Sequence, residues 1–76
     1  MFMENPIKNP QWMWGYTYVI NNIQKIVTIA VNENMWGIFD DNTIYHIQET
    51  FENNTRKNIK QAIRFAKKHF YELKPL

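Results

Sequence analysis

The chain has 76 residues, with three Trp, four Tyr, five Phe, no Cys and a formal net charge of +2 at pH 7. This length excludes a second core and an enzyme fold built from cofactor and substrate halves, and the lack of Cys excludes disulfides and thiolate metal sites. The weak positive charge counts against an acidic mimic of DNA and does not by itself indicate nucleic-acid binding. We expect one small domain with an aromatic-rich core.

The composition and the start of the chain predict its source and location. Asn and Ile each occur ten times and Lys seven times, whereas Leu occurs twice. The frequent residues have AT-rich codons, which suggests an AT-rich genome such as that of a phage, a plasmid or a low-GC bacterium, and we expect a phage or another mobile element as the source. The start lacks the basic and then apolar order of a secretory signal, and no apolar run approaches the roughly 18 residues of a membrane span. We expect a cytoplasmic protein, in the host cell if a phage encodes it, without a membrane partner.

Residues 1–11 are predicted to form an extended N-terminal arm. Two Asn-Pro pairs, Asn5-Pro6 and Asn9-Pro10, bias the residue before each proline toward extended geometry, and each proline lacks a backbone donor. The remaining residues, 12–76, are predicted to form a single small α+β domain.

From Trp12 onward, β-branched and aromatic residues occur in short runs separated by Asn- and Asp-rich segments. Such runs are typical of strands joined by tight turns. They predict a four-stranded antiparallel meander with strands at about 12–20, 23–31, 35–39 and 44–48.

Turn lengths predict which side chains share a face of this sheet. A two-residue turn at Asn21-Asn22 places Ile20 opposite Ile23. Two-residue turns at Glu33-Asn34 and Asp41-Asn42 carry the same face through the third and fourth strands. This face, called the core face below, then collects Trp12, Trp14, Tyr16, Tyr18, Trp36, Ile38, Tyr45 and Ile47.

The third strand has an alternative register. A three-residue loop at 32–34 would turn Trp36 and Ile38 to the other side, because a one-residue slip exchanges the two faces. We favour the two-residue turn, since it builds one consistent core face.

After Phe51 the spacing of the apolar residues changes from that of a strand to that of a helix, which predicts a helix from about 54 to 73. Asn53, Asn54 or Thr55 can cap its start. Phe51 can pack back on it, and Pro75 stops it. Its apolar residues recur at the spacings of three and four that mark an amphipathic helix: Ile59, Ala62, Ile63, Ala66, Phe70 and Leu73. The predicted fold is therefore α+β, a ββββα meander with one C-terminal helix packed on one face.

The order of four strands and a terminal helix resembles the repeat of Whirly and Pur-type single-strand-binding proteins, and also small phage-encoded βββα domains. The resemblance covers residues 12 to 73 and is one of topology, without a shared motif. It therefore implies a fold and transfers no role to any residue.

The aromatic stripe of the first strand has two interpretations. It can pack under the helix, or it can form a stacking platform for single-stranded nucleic acid. The register favours packing, but a helix about 10 Å wide cannot cover a four-stranded face, so we expect Trp12 or Tyr18 to be partly exposed. Aromatic residues outside the core layer are the more promising functional candidates: Phe39, Phe65 and Tyr71.

The helix carries cations beside its apolar face. These residues, called the basic stripe below, are Arg56, Lys57, Lys60, Arg64 and Lys67, and Tyr71 is expected to continue them. The helix dipole disfavours cations in the first turn, whereas free N–H groups there attract anions. The stripe is therefore a candidate site for an anion or a partner, and a solvated helix face is the alternative.

The opposite side of the sheet, called the second face below, is a candidate partner-binding surface. Its proposed contact residues are Ile26, Phe39, Ile44 and His46, because an uncovered antiparallel face is normally more polar. Scattered apolar residues are the ordinary alternative. The outer edges of the first and fourth strands are expected to be unpaired, so either edge or the second face could form a homodimer.

Catalysis has little support. The chain has no Ser or Cys, and His46 and His69 are its only imidazoles. We predict no enzyme, no catalytic residue, no metal and no cofactor.

These observations predict a small non-enzymatic interaction module that binds and inhibits a larger host protein or a ribonucleoprotein defence complex, with an anti-CRISPR-like inhibitor as one form. The alternative is a single-stranded nucleic-acid-binding domain that uses the basic stripe and exposed aromatics. Phosphate binding should weaken steeply with salt, whereas an apolar interface should persist.

Overall fold

The runs of β-branched and aromatic residues form a sheet, and the amphipathic segment forms a helix, in a computed structural model that describes residues 5–76. The elements are β1 (Trp12–Ile20), β2 (Ile23–Val31), β3 (Met35–Phe39), β4 (Ile44–Glu49), α1 (Thr55–His69) and β5 (Lys74–Pro75). The antiparallel sheet has the order β4-β3-β2-β1-β5, and its first four strands form the meander. The predicted α+β fold is confirmed, with a fifth strand added.

The predicted register of β1, β2 and β3 is confirmed. Ile20 pairs with Ile23 across a turn whose two Asn residues both have positive φ, 51° and 63°. Such a turn matches the twist of a hairpin, and Asn tolerates this conformation better than most residues. At the next turn Val31 pairs with Trp36, so the three-residue loop is excluded.

A β-bulge between β3 and β4 overturns part of the predicted face assignment. Phe39 pairs with Ile44, but Ile38 pairs with His46 rather than with the residue before it. This one-residue slip exchanges the two faces beyond the bulge. His46 therefore lies on the core face, and Ile47, a predicted core-face residue, lies on the second face.

The main core lies between the core face and α1, which packs on β2 and β3. Ala62 and Ala66 are fully buried, and their small side chains let the helix approach the sheet closely. The sheet contributes Tyr16, Tyr18, Val27, Ile29, Val31, Trp36 and Ile38 to this core. Trp14, a predicted core residue, is instead 50% exposed, because the helix lies over β2 and β3 rather than over β1.

Asparagines fix the start of the helix. Asn54 is the N-cap, and its side chain accepts a hydrogen bond of 3.0 Å from the backbone N–H of Lys57. Asn58 is buried, and its Nδ2 donates to the carbonyls of Asn32 and Glu33 at 3.0 and 3.1 Å, which ties the helix to the β2–β3 turn. The predicted packing of Phe51 on the helix is wrong, since that side chain is 91% exposed.

The helix ends at His69 rather than near residue 73. Phe70 is the C-cap, with an extended φ of −120°, and its N–H donates to the Ala66 carbonyl at 2.8 Å. Glu72 has a φ of 51° in the turn that follows. The chain can therefore reverse and return along the sheet.

The returning segment covers the outer edge of β1. As β5, it places Pro75 opposite Tyr16, and the Leu76 N–H donates to the Gly15 carbonyl at 2.9 Å. Proline is tolerated in an edge strand because one side of the backbone needs no partner strand there. The prediction that this edge of β1 is unpaired is therefore wrong.

The described part of the N-terminal arm packs on the second face. Ile7 is only 1% exposed and forms a second apolar cluster with Ala30 and Phe39. Phe39, a predicted partner-binding residue, is therefore buried rather than available. Residues 1–4 of the predicted arm lie outside the described residues.

Candidate functional site

The basic stripe is exposed along α1, as its spacing predicts. Within residues 5–76 the only ion pair joins Lys57 Nζ to Glu52 Oε2 at 2.5 Å, between two side chains that are more than half exposed. The other four cations of the stripe thus have no acidic partner in that part of the chain. Tyr71 does not continue the stripe, because the helix ends before it.

The four predicted partner-binding residues of the sheet do not form one surface. Ile26 and Ile44 remain exposed on the second face. Phe39 lies in the cluster with Ile7, and the bulge turns His46 to the core face. The predicted patch is thereby reduced to two exposed isoleucines.

Both histidines contact one phenylalanine ring. The His46 and Phe65 centroids are 4.3 Å apart with an interplanar angle of 27°, and those of Phe65 and His69 are 4.2 Å apart at 31°. Trp36 adds a fourth ring, 5.1 Å from His46. The aromatic core therefore continues to the surface at the end of α1.

At this end of the molecule an open groove of about 520 Å³ lies between the β1–β2 hairpin and the end of α1. Its lining is mostly apolar and aromatic, and Tyr71 on its border is 70% exposed. The groove is lined by Tyr18, Val19, Ile20, Lys25, Tyr45, Phe65, His69, Phe70 and Tyr71. A concave apolar surface with a few polar groups is the usual form of a binding site.

A chain of hydroxyl groups along this groove ends at Asp40. Tyr45 Oη donates to Asp40 Oδ2 at 2.6 Å, and the hydroxyl oxygens of Tyr18 and Tyr45 are 3.2 Å apart. Because Tyr45 gives its only proton to Asp40, Tyr18 must donate to Tyr45. The Tyr18 oxygen is then left as an acceptor.

The pKa values of Asp40 and Tyr45 follow from this arrangement. Burial by itself raises the pKa of Asp40, but hydrogen bonds from Tyr45 and from the N–H groups of Asn42 and Thr43, with the nearby charge of Lys25, bring it below its usual value. The pKa of Tyr45 is raised, chiefly by its hydrogen bond to Asp40 and then by that with Tyr18 and by burial. At neutral pH the carboxylate is ionised and the phenol protonated.

Trp14 is half-exposed on β1, in the part of the core face that the helix leaves uncovered. At one end of β1 the Thr55 hydroxyl donates to the Gln11 side chain. At the other end the rings of Tyr18 and Phe70 meet with centroids 4.8 Å apart. The helix that carries the basic stripe therefore runs alongside β1, and the half-exposed Trp14 lies between these two contacts.

Sequence reasoning identified only part of the groove. Phe65 and Tyr71 were predicted to lie outside the core layer, and both line the groove, although Phe65 also packs against the main core. Lys25 and His69 gave no signal, because an isolated lysine on a strand and a histidine on a helix flank are common surface residues. The bulge that turns Tyr45 and His46 toward the same side has no mark in the sequence.

Comparisons with protein-family models, with curated proteins and with solved structures found no match to this chain. Among the described residues, no helix has the length and apolar character needed to span a bilayer. Residues 5–76 also contain no group of three or more His, Cys, Asp or Glu side chains placed to hold a metal ion.

Proposed function

We propose that this chain is a small non-enzymatic interaction module that binds a larger protein through the groove at the end of α1. The observation that carries this proposal is the exposure of large apolar side chains around that concave surface. Ile20, Tyr45 and Tyr71 are all more than two-fifths exposed there, and Ile23 is exposed at the hairpin tip. Aromatic and aliphatic side chains grouped at a concavity are typical of interface hot spots.

A module of this size acts by occupying a surface of its partner. Inhibition of a host protein or of a ribonucleoprotein defence complex, as by an anti-CRISPR-like protein, is the form we favour, because the AT-rich residue usage points to a phage or another mobile element. The exposed Ile26 and Ile44 on the second face are the corresponding candidates for self-association, which sedimentation of Ile26→Glu and Ile44→Glu would test.

The test is a pull-down from the organism that carries the gene, or from its host, with and without nuclease. We expect a protein that is retained after nuclease treatment and at high salt, because an apolar interface does not depend on phosphate charge. Tyr71→Ser should lose this protein, whereas Ile44→Ser, a matched change on the second face, should keep it. A partner recovered only with nucleic acid present would overturn the proposal.

A second candidate is binding of single-stranded nucleic acid between β1 and α1. The exposed Trp14 offers a ring for stacking, and four cations of the neighbouring basic stripe lack an acidic partner within residues 5–76. Fluorescence anisotropy with a single-stranded oligonucleotide tests it. Affinity should fall steeply with salt and should be lost on charge reversal of Arg56, Lys60 and Arg64. Unchanged binding after that reversal would remove this candidate.

A further inference from the structure

We infer that the groove receives an acidic peptide segment of the partner protein, with one apolar or aromatic side chain inserted between the hairpin and the helix and a carboxylate held near Lys25. This inference rests on the proposed function and adds the chemistry of the partner. It depends on the shape of the groove, on its unpaired charge and on the direction of its hydroxyl chain.

The groove has room for a large side chain. Its volume of about 520 Å³ is open to solvent on one side, and the rings of Phe65 and Phe70 are part of its lining. Phe70 is also fixed by edge contacts with Tyr18 and Tyr45, whose centroids are 4.8 and 5.3 Å away. A preformed aromatic concavity of this kind favours an apolar anchor, because little conformational freedom is lost when the anchor binds.

The charge around the groove is complementary to an acidic segment. Lys25 lines it from β2, and no ion pair within residues 5–76 includes that lysine. Asp40 lies near enough to sense the charge of Lys25, but its two oxygens already accept hydrogen bonds from Tyr45 and from two backbone N–H groups. The ammonium of Lys25 is therefore available to a carboxylate from outside.

The helix end adds further positive charge. Its last turn includes Lys67 and Lys68, which lie next to His69, a residue of the groove lining. Cations at a helix C-terminus also complement the helix dipole, so these residues alone do not indicate a partner. Lys25 lies on a strand, where no helix dipole favours a cation, and it is the lysine that lines the groove.

The hydrogen bonds among Tyr18, Tyr45 and Asp40 determine which polar group of a ligand can bind next to Tyr18 in the groove. Tyr18 donates a hydrogen bond to Tyr45, and Tyr45 donates one to Asp40. The hydroxyl oxygen of Tyr18 can therefore still accept a hydrogen bond. An N–H of a peptide backbone suits that position, whereas a carboxylate or a phosphate oxygen does not. The anionic group of the ligand is thereby directed to Lys25 and away from Tyr18.

Selection of a phage-displayed random peptide library on the immobilised chain tests this inference. We expect enrichment of peptides that combine an aromatic or aliphatic residue with Asp or Glu. A synthetic copy of an enriched peptide should bind Lys25→Glu about tenfold or more weakly, and Tyr71→Ser likewise, in fluorescence polarisation. Lys60→Glu, the same charge change on the helix away from the groove, should bind like the original chain, and thermal melts establish that all variants are folded.

Three results would overturn the inference: no enriched peptide, enriched peptides without acidic residues, or equal losses for Lys25→Glu and Lys60→Glu. Displacement of the peptide by a single-stranded oligonucleotide would instead assign the groove to nucleic acid. The pull-down distinguishes failure of this inference from failure of the proposed function. A protein partner that is lost on Tyr71→Ser but kept on Lys25→Glu leaves the proposed function standing and removes the acidic partner.

Discussion

The Cδ1 atom of Ile7 lies 3.0 Å from the position that a Cβ atom on Gly37 would occupy. The side chain of Ile47 approaches the same position to 2.8 Å. Gly37 therefore gives the space in which the N-terminal segment packs against β3 and β4. This contact makes Ile7, which precedes the first strand, a part of the fold.

Gly37→Ala should destabilise the fold. The added methyl group would press on Ile47, whose partly exposed side chain can shift, and on Ile7, which is buried. Overpacking against a buried side chain costs about 1–3 kcal/mol. Urea denaturation followed by Trp fluorescence measures the change. Gly15→Ala is the matched control: its nearest neighbour is Leu76 Cδ2 at 3.2 Å, in an exposed side chain that can shift, so we expect a smaller loss or none. Equal stability of both variants would contradict the packing described for Ile7.

Ile7→Ala should lower the free energy of unfolding by about 2–4 kcal/mol, the usual cost of removing a large buried aliphatic side chain. The same truncation at Ile44, which lies exposed on the same face, should cost about 1 kcal/mol or less. Chemical denaturation of the two variants measures this contrast. Equal losses would mean that the segment before β1 does not pack as the buried position of Ile7 requires.

Asn58→Ala should weaken the attachment of α1 to the sheet. The substitution removes the two hydrogen bonds to the carbonyls of Asn32 and Glu33, each worth about 0.5–1.5 kcal/mol. Lys60→Ala, an exposed site on the same helix, should change stability by about 0.5 kcal/mol or less. Amide hydrogen exchange should also become faster in the β2–β3 turn of the Asn58 variant alone, and unchanged exchange there would argue against the tie.

Tyr45→Phe should cost about 1 kcal/mol near neutral pH, the usual net value of one hydrogen bond. Because the pKa of Asp40 is lowered in the fold, its contribution is present above its unfolded pKa and is lost as the pH falls through its folded pKa. The stability difference between the original chain and Tyr45→Phe should therefore narrow in strongly acidic solution. Tyr71→Phe should have the same stability as the original chain at either pH. If the stability difference caused by Tyr45→Phe does not narrow in acid, the contribution of Tyr45 does not depend on the charge of Asp40.

On the alkaline side, Tyr45 should ionise later than an ordinary tyrosine. Its raised pKa means that its contribution to stability is present below its usual pKa of 10.0 and is lost as the pH rises through the folded-state value. Ultraviolet absorbance titration of the phenols measures this step, which should be missing in Tyr45→Phe. In Asp40→Asn the step should move to lower pH, because the negative charge that favours the protonated phenol is gone.

The parts of the fold that depend on local rules could be predicted. Asn21-Asn22 set the first hairpin, and the next two-residue turn set the position of Trp36, because turn length determines register. Three features depend on contacts distant in sequence and carry no local pattern: the insertion of Ile7, the bulge at Tyr45 and the strand that includes Pro75. Each changed which surface is exposed.

The candidate site was predictable only in its most exposed parts. Helical spacing placed Arg64 and its neighbours in solvent, and Tyr71 is exposed, although on the border of the groove rather than on the helix. The groove itself is formed by the end of α1, the tip of a hairpin and a bulged strand. Lys25 and His69 line the same groove only because of the way the helix packs on the sheet. Their spacing in the sequence does not predict this.

The β-bulge gives two consecutive residues of β4 to one side of the sheet. In a regular strand Tyr45 and His46 would point in opposite directions, and only one could stand near Phe65 and Phe70. Deletion of Tyr45 would remove the bulge but would leave His46 opposite Ile38 and keep every later residue of β4 on its present side. The groove would lose the Tyr45 ring from its lining, because His46 does not line the groove. The extra residue thus adds an aromatic side chain to the groove without changing how β3 and β4 pair.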